Sequence, residues 1–338
     1  MDGKEARIGV ARPRRIEWPT LALLAAVHGA FLVLTGTEGL PVWAVVPALA
    51  LVLAMHASLQ HEIIHGHPFP SRFWSQACGL VPMGLAVPFH RFRDTHLDHH
   101  FDALLTDPYD DPESNYLDAA TLSRLPAMLR WLLVANNTLA GRMVLGPAIG
   151  TLAFWHNDAR RMARGERDVV TAWAMHAACL APLLAWIAWA PVSWSAYLAA
   201  AYLSMSLIKV RTFAEHQAHE RARGRSVIVE GGGPWSWLFL NNNLHAVHHA
   251  FPKVAWYDLP ALHRTRREEF ARRNGGYRFQ GYGALFGRHL WRAKDPVAHP
   301  IWTRANRRLP LGLRPRDAML AMGQGPAPVD SGPPREGL

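Results

Sequence analysis

The sequence predicts an all-α integral membrane protein, with four transmembrane helices in two hairpins and a cytoplasmic cap rich in histidine. Two observations lead to this prediction. Four long stretches of the chain contain no Asp, Glu, Lys or Arg, and eight of the 19 histidines fall into three tight groups outside those stretches. Apolar helices of about 20 residues are long enough to cross the hydrocarbon core of a bilayer.

The uncharged stretches are residues 18–37, residues 40–60 and the run 169–208, which Pro191 divides in two. At a rise of about 1.5 Å per residue, each helix would cover about 30 Å. A cleaved signal peptide is the alternative for the first stretch, but that stretch is longer than a usual signal sequence and lacks a clear cleavage site.

Two shorter uncharged runs, residues 73–89 and 143–157, contain prolines or are too short for a full crossing. We expect them at the membrane interface or partway into the membrane.

Basic residues set the expected orientation. From residue 211 to the end, 20 Lys and Arg stand against 10 Asp and Glu, whereas the two hairpin tips near Glu38 and Pro191 carry no basic residue. The first span is preceded by Lys4, Arg7, Arg12, Arg14 and Arg15. Because basic residues accumulate on the cytoplasmic side, both termini are expected in the cytoplasm, and an even number of spans places every histidine group on that face.

The net charge of +10 indicates which kinds of molecule could bind the protein. Anionic lipid headgroups attract basic residues near a membrane, and an acidic electron-carrier protein is a further partner that suits a basic face. No nucleic acid is expected, because the chain shows no binding module for it. Cys78 and Cys179 both lie in apolar runs and cannot build a cysteine-based redox centre, so electrons for any redox reaction would come from another protein.

Two of the three histidine groups share the pattern H-x-x-H-H, which chance would produce far less than once in this chain. These are HLDHH at 96–100 and HAVHH at 245–249. On a helix, positions i, i+3 and i+4 share a face, and His61 and His65 are likewise one turn apart. Each group is therefore expected to aim its imidazoles at one point, as metal ligands do.

An acidic, proline-containing segment, TDPYDDPES at 106–114, follows the second histidine group. A solvated turn is the simplest interpretation. Its nearness to the expected metal also allows a carboxylate to orient an imidazole through the ring nitrogen that does not bind the metal. The candidates for that role are Asp98, Asp107 and Asp110.

The segments HEIIH at 61–65, HLDHH at 96–100 and HAVHH at 245–249 resemble the three histidine boxes of the membrane-bound fatty acid desaturase superfamily. Their order and their placement around two hairpins are also similar, and the likeness covers roughly residues 18–265. The forms HEIIHGH and NNNLHAVHH look most like bacterial acyl-chain desaturases. The resemblance therefore implies a bacterial inner-membrane enzyme.

In that family the boxes hold two iron ions, and one more histidine upstream of the third box completes the set. The matching residue here is His216, with His219 as a weaker rival. The expected iron ligands are thus His61, His65, His96, His99, His100, His216, His245, His248 and His249. Nine imidazoles are too many for one tetrahedral zinc but suit two metals with four or five ligands each.

The other histidines are assigned by their surroundings in the sequence. His67 is either a tenth ligand or a polar partner at the interface. His28, His56 and His176 lie inside spans, where a neutral histidine bonded to a neighbouring helix is the expected state. The remaining five are expected to be surface or core residues: His90, His156, His263, His289 and His299.

The resemblance implies an O2-dependent desaturase that acts on a long acyl or lipid chain, with electrons from an external carrier such as ferredoxin. A diiron hydroxylase or oxygenase of a lipid, alkane or carotenoid is the alternative within the superfamily. HEIIH also matches the H-E-x-x-H of zinc proteases, in which His61 and His65 would bind zinc and Glu62 would act as general base. A metal transporter or a metal sensor is a further alternative.

Four segments are expected along the chain. Residues 1–17 form a basic cytoplasmic N-terminus, and residues 18–265 form the desaturase-like membrane domain with its three boxes. Residues 266–322 form a basic cytoplasmic segment. Residues 323–338, rich in Gly and Pro, are expected to be disordered.

Overall fold

The computed structural model describes residues 13–303, and these residues are mostly helical. The first nine helices are α1 (Trp18–Gly36), α2 (Val42–Ile64), α3 (Arg72–Gly79), α4 (Phe89–His99), α5 (Ala119–Arg124), α6 (Ala127–Asn136), α7 (Leu139–Ala163), α8 (Arg167–Trp189) and α9 (Trp194–Glu215). The C-terminal part contributes α10 (Pro234–Leu238), α11 (His245–Ala250), α12 (Leu259–Thr265), α13 (Arg267–Arg273) and α14 (Tyr282–His289). Short 3-10 turns occupy Asp102–Leu104 and Ala222–Gly224.

A small parallel sheet departs from the all-α prediction. Strand β1 (Ile228–Val229) pairs with β2 (Arg278–Phe279). Strands of two residues are too short to show the alternation of polar and apolar side chains that identifies a strand in a sequence. The sheet ties the segment before the third histidine box to the region after α13.

Three helices among the described residues are long and apolar enough to cross a membrane: α1, α2 and α8. The fourth predicted span lies in α9, which has 22 residues but does not reach the same apolar character. The reason lies at its ends, because α9 begins with Trp194 and Ser195 and extends past the uncharged run to Lys209, Arg211 and Glu215.

Backbone hydrogen bonds join the ends of the long helices to neighbouring segments. The Glu17 amide at the start of α1 donates to the Pro68 carbonyl beyond the end of α2, at 3.0 Å. At the opposite ends, the Val192 amide between α8 and α9 donates to the Thr35 carbonyl of α1, at 3.2 Å. The connection between α8 and α9 therefore lies beside the end of α1, and the start of α1 lies beside the first histidine box.

Two apolar clusters hold α2 against its neighbours. Away from the histidines, Phe31, Leu49, Leu53, Ile187 and Tyr197 are buried together. Nearer the histidines, a second cluster contains the buried side chains of Leu59, Ile63, Val210, Phe213 and Phe239. Because α2 and α9 contribute to both clusters, close packing fixes the distance between their C-terminal ends.

The two shorter uncharged runs have different structures. Residues 73–89 contain most of α3, a turn region and the first residue of α4, whereas residues 143–157 lie inside α7, which continues through Pro147. Their depth relative to a bilayer stays a prediction.

The histidines within spans take part in local bonds. His28 Nδ1 donates to the Leu24 carbonyl of its own helix at 2.8 Å, and His176 Nε2 donates to the Leu85 carbonyl, in a loop, at 2.8 Å. The His56 ring packs edge-on against His28, with ring centroids 5.7 Å apart. The bonds to carbonyls agree with neutral histidines, although the acceptors are not on neighbouring helices as expected.

Several predictions from the sequence lie outside the described residues. They are the basic residues Lys4, Arg7 and Arg12, the disordered tail at 323–338 and the last part of the basic segment 266–322.

Candidate metal centre

The nine histidines expected as ligands come together in two groups, and within each group the candidate ligand atoms lie within 4.8 Å of one another. The first group contains His61, His65, His96, His100 and His248. The second group contains His99, His216, His245 and His249. This division into five and four matches the arrangement expected of two metals, while metal binding itself stays a prediction.

Each H-x-x-H-H box is shared between the two groups. In the second box His96 and His100 lie in the first group and His99 lies in the second, whereas in the third box His248 alone lies in the first group. The expectation that each box aims at one point holds for His61 and His65, which lie in the same group, and was wrong for the two H-x-x-H-H boxes. At 3.6 residues per turn, positions i and i+4 are about 40° apart around the helix, and position i+3 lies on the other side of i.

The nitrogen separations suit ligands of a common ion. In the first group the Nε2 atoms of His65 and His96 are 3.2 Å apart, and those of His96 and His100 are 3.0 Å apart. In the second group His216 Nε2 lies 2.9 Å from His99 Nε2 and 3.0 Å from His245 Nε2. Two nitrogens about 2.1 Å from one ion and about 90° apart would be separated by about 3.0 Å.

Two carboxylates determine which ring nitrogens carry hydrogen. His96 Nδ1 is 2.9 Å from Glu113 Oε1, and His99 Nδ1 is 2.7 Å from Asp111 Oδ1. Because an ionised carboxylate only accepts hydrogen bonds, each Nδ1 is the donor. In the neutral imidazole Nε2 then carries a lone pair directed at the neighbouring histidine. A lone pair at that position can be donated to a metal ion, so these nitrogens fit a metal site.

Burial also favours the neutral form of most of these rings. It lowers the pKa of His100, His245 and His248 well below the ordinary histidine value. His99 differs. Burial lowers its pKa, but the neighbouring carboxylates of Asp111 and Glu113 raise it by more, so that the pKa lies at about 9. The two carboxylates stabilise a positive charge at His99. A bound metal ion would supply that charge.

Two residues that orient the histidines, Asp111 and Glu113, were not among the candidates named from the sequence. Those candidates were Asp98, Asp107 and Asp110, and for Asp98 and Asp110 the role stays a prediction. Asp107 instead accepts the Tyr109 amide at 2.9 Å and the Trp302 indole N–H at 2.8 Å. The loop folds back so that Asp111 Oδ2 accepts the Thr106 amide at 2.8 Å, a turn for which the sequence holds no spacing signal.

Asn242 was also missed. Its Oδ1 accepts a hydrogen bond from His245 Nδ1 at 3.0 Å, and its amide nitrogen lies 3.4 Å from His61 Nε2. An amide three residues before the first histidine of a box is the signal that could have identified it. Asn242 joins the first box to the third.

The two doubtful ligands, His67 and His219, lie outside both groups. His67 is buried, and its Nδ1 is 2.6 Å from Glu17 Oε2. His219 Nδ1 accepts the Arg221 amide at 3.0 Å. The five histidines expected at the surface or in the core are also outside the groups: His90, His156, His263, His289 and His299.

Asp111→Asn should weaken metal binding by the second group about tenfold, because the amide still accepts a hydrogen bond but no longer carries the charge that strengthens His99 as a ligand. The measurement is competition with a coloured chelator during metal loading. Asp107→Asn is the matched control, since Asp107 lies in the same loop and its carboxylate accepts hydrogen bonds from Tyr109, Asp110 and Trp302. Equal metal affinity in the wild type and Asp111→Asn would contradict the assigned role.

Comparison with known proteins agrees with this geometry. Residues 38–281 match the family model for fatty acid desaturases, and the matched region contains all nine histidines of the two groups. No curated protein sequence matches the chain significantly. Helices that could cross a membrane are expected of such a protein, and α1, α2 and α8 have that length and composition. Since the family match covers more than half of the chain and includes every histidine box, the chain belongs to the fatty acid desaturase family.

Proposed function

We propose that the protein is an O2-dependent diiron desaturase that introduces a double bond into a long acyl or lipid chain, with electrons from an external carrier. The observation that carries the proposal is the division of nine histidines into groups of five and four. Iron ions held by these groups would supply the electrons that reduce O2 and the oxidant that removes hydrogen from an unactivated C–H bond. Imidazole ligands suit iron and leave coordination positions open.

The surroundings of the histidines suit an apolar substrate. Ile63 lies near the end of α2, between His61 and His65, and Phe213 lies near the end of α9, three residues before His216. Both side chains are buried in the apolar cluster beside the histidines. An apolar chain that enters along these helices would reach the metals without bringing water, and the exclusion of water limits side reactions of a strong oxidant.

We further propose that α9 is the fourth span and that both termini lie in the cytoplasm of a bacterial cell. The helices α2 and α9 pack against each other and both end beside the histidine groups. This arrangement suits an even number of crossings before the end of α9. The basic residues Arg14 and Arg15, before α1, belong on the same face by the positive-inside rule.

The zinc protease alternative does not account for the geometry. The Glu62 carboxylate is buried, and its Oε2 accepts the Trp256 amide at 3.1 Å, so it is bonded to the segment that follows the third box. His61 and His65 also share their group with three further histidines. A transporter would need ligating groups distributed along several spans, whereas the nine histidines collect beside the ends of α2 and α9.

A diiron hydroxylase would use the same ligands, so the reaction product must distinguish the two. We expect membranes of a bacterial host that expresses the protein to gain unsaturated acyl chains under oxygen-18 gas, with no label in the chain. The measurement is mass spectrometry of the extracted lipids, with the His248→Ala variant as control. An alcohol that carries the label would show that the protein is a hydroxylase. The absence of both products would contradict the proposal.

A further inference from the structure

A small cleft opens to the surface directly behind His249. Its volume is about 350 Å³, including space open to solvent, and its walls include Arg223, Ser226, His249, Phe270, Arg273 and Asn274. His249 is 8% exposed and belongs to the second histidine group. The cleft therefore joins the protein surface to a candidate metal ligand.

The cleft is electropositive. Two arginines and no carboxylate belong to its walls. Arg223 is exposed and has no ion pair within residues 13–303, and Arg273 shares a partly exposed pair with Glu269 at 3.3 Å. Around the cleft, residues 221–278 contain ten Lys and Arg against four Asp and Glu. An acidic partner would find complementary charge here.

The same region is poorly suited to contact with lipid chains. In residues 203–290, Trp237 is the only large apolar side chain that is strongly exposed. Elsewhere such side chains are frequent on the described surface, for example Trp43, Trp131 and Trp189. The surface around the cleft therefore faces water, and a soluble protein fits it better than a bilayer does.

His249 contacts both histidine groups. Its ring stacks on His100 of the first group, with centroids 4.3 Å apart and an interplanar angle of 18°. It also lies against His245 and His216 of the second group, with centroid distances of 4.6 Å and 5.0 Å. An electron that arrives at this ring is therefore close to the ligands of both metals.

We propose that the cleft between Arg223 and Arg273 is the docking site of an acidic one-electron carrier protein, and that electrons enter through the His249 imidazole. This inference rests on the proposed function. Conversion of one CH2–CH2 unit to CH=CH by O2 yields two water molecules and consumes two electrons and two protons. Two reduced carriers would each be oxidised by one electron, and the protons would come from solvent.

The test uses the purified, iron-loaded protein in detergent and an acidic plant-type [2Fe–2S] ferredoxin as the probe. The wild type should bind the probe at about 50 mM salt and bind it much more weakly at about 500 mM, because screening shortens the reach of exposed charges. Arg223→Glu should weaken binding at low salt about tenfold, and Arg273→Gln should weaken it by a smaller factor. Arg160→Glu, at an exposed position on α7, should bind like the wild type.

Product formation driven by dithionite separates this inference from the proposed function. The cleft variants should form product from dithionite at the wild-type rate, since neither arginine belongs to the histidine groups. If the wild type forms no product with dithionite, the proposed function fails whatever the binding result.

Three results would overturn the docking site. The first is that Arg223→Glu binds the probe as tightly as the wild type does. The second is that the wild type shows no binding of the probe that depends on salt. The third is that Arg160→Glu weakens binding as much as Arg223→Glu does. Loss of binding to phosphatidylglycerol vesicles in Arg223→Glu, with ferredoxin binding unchanged, would assign the cleft to lipid headgroups instead.

Discussion

His99→Ala and His248→Ala should each abolish product formation while the protein still inserts into the membrane. His99 Nε2 lies 2.9 Å from His216 Nε2, and His248 Nε2 lies 3.1 Å from His100 Nε2. Each substitution removes a ligand from a different group, so either one should disable one metal. Since O2 reduction by two irons requires both, we expect the same loss of product from either variant.

The measurement for these variants is the amount of unsaturated product per milligram of protein in isolated membranes. His156→Ala is the matched control, because His156 is exposed and lies outside both groups. Full product formation by His99→Ala or His248→Ala would remove that residue from the set of iron ligands.

Arg91→Ala should strongly destabilise the protein. The Arg91 guanidinium bonds both carboxylate oxygens of Asp158, at 2.8 Å and 2.9 Å, and both side chains are buried. The Trp173 indole N–H donates to the same carboxylate at 2.8 Å. Removal of one partner leaves a buried charge unpaired, which costs about 3–5 kcal/mol.

The pair also matters for the metal centre, because Arg91 lies on α4, the helix that carries the second histidine box. Asp158 and Trp173 belong to α7 and α8. The three residues therefore anchor the box to two long helices. The measurement is the unfolding midpoint in detergent, which should fall clearly for Arg91→Ala.

Two further variants serve as controls for the unfolding midpoint of Arg91→Ala. Arg272→Ala should leave the midpoint unchanged, because Arg272 and Glu268 form a pair at 3.6 Å with both side chains largely exposed. Arg91→Met combined with Asp158→Leu should recover much of the lost stability, since no buried charge remains. An unchanged midpoint in Arg91→Ala would contradict the structural role of the pair.

The sequence predicted which histidines come together because they are chemically rare and regularly spaced, while their role as ligands stays a prediction. All nine candidates fall within the two groups, and His216 was found only through the family resemblance. The long uncharged segments predicted α1, α2 and α8 for the same reason, since length and composition alone define a candidate span.

Other features depend on contacts between distant parts of the chain. Helical spacing explains why the second and third boxes can each be divided, but which histidines meet in one group depends on how α4 and α11 are placed against each other. Asp111 and Glu113 reach His99 and His96 through the fold of an irregular loop. The buried pair of Arg91 and Asp158 joins residues 67 positions apart, and neither residue stands out in the sequence.

The most direct test of the account is the metal content of the detergent-purified protein, with iron and zinc counted per chain by mass spectrometry. We expect about two irons per chain in the wild type and loss of both in the His99→Ala, His248→Ala double variant. One zinc per chain that is retained in the double variant but lost in His61→Ala would contradict it, and would favour a zinc enzyme built on the first box alone.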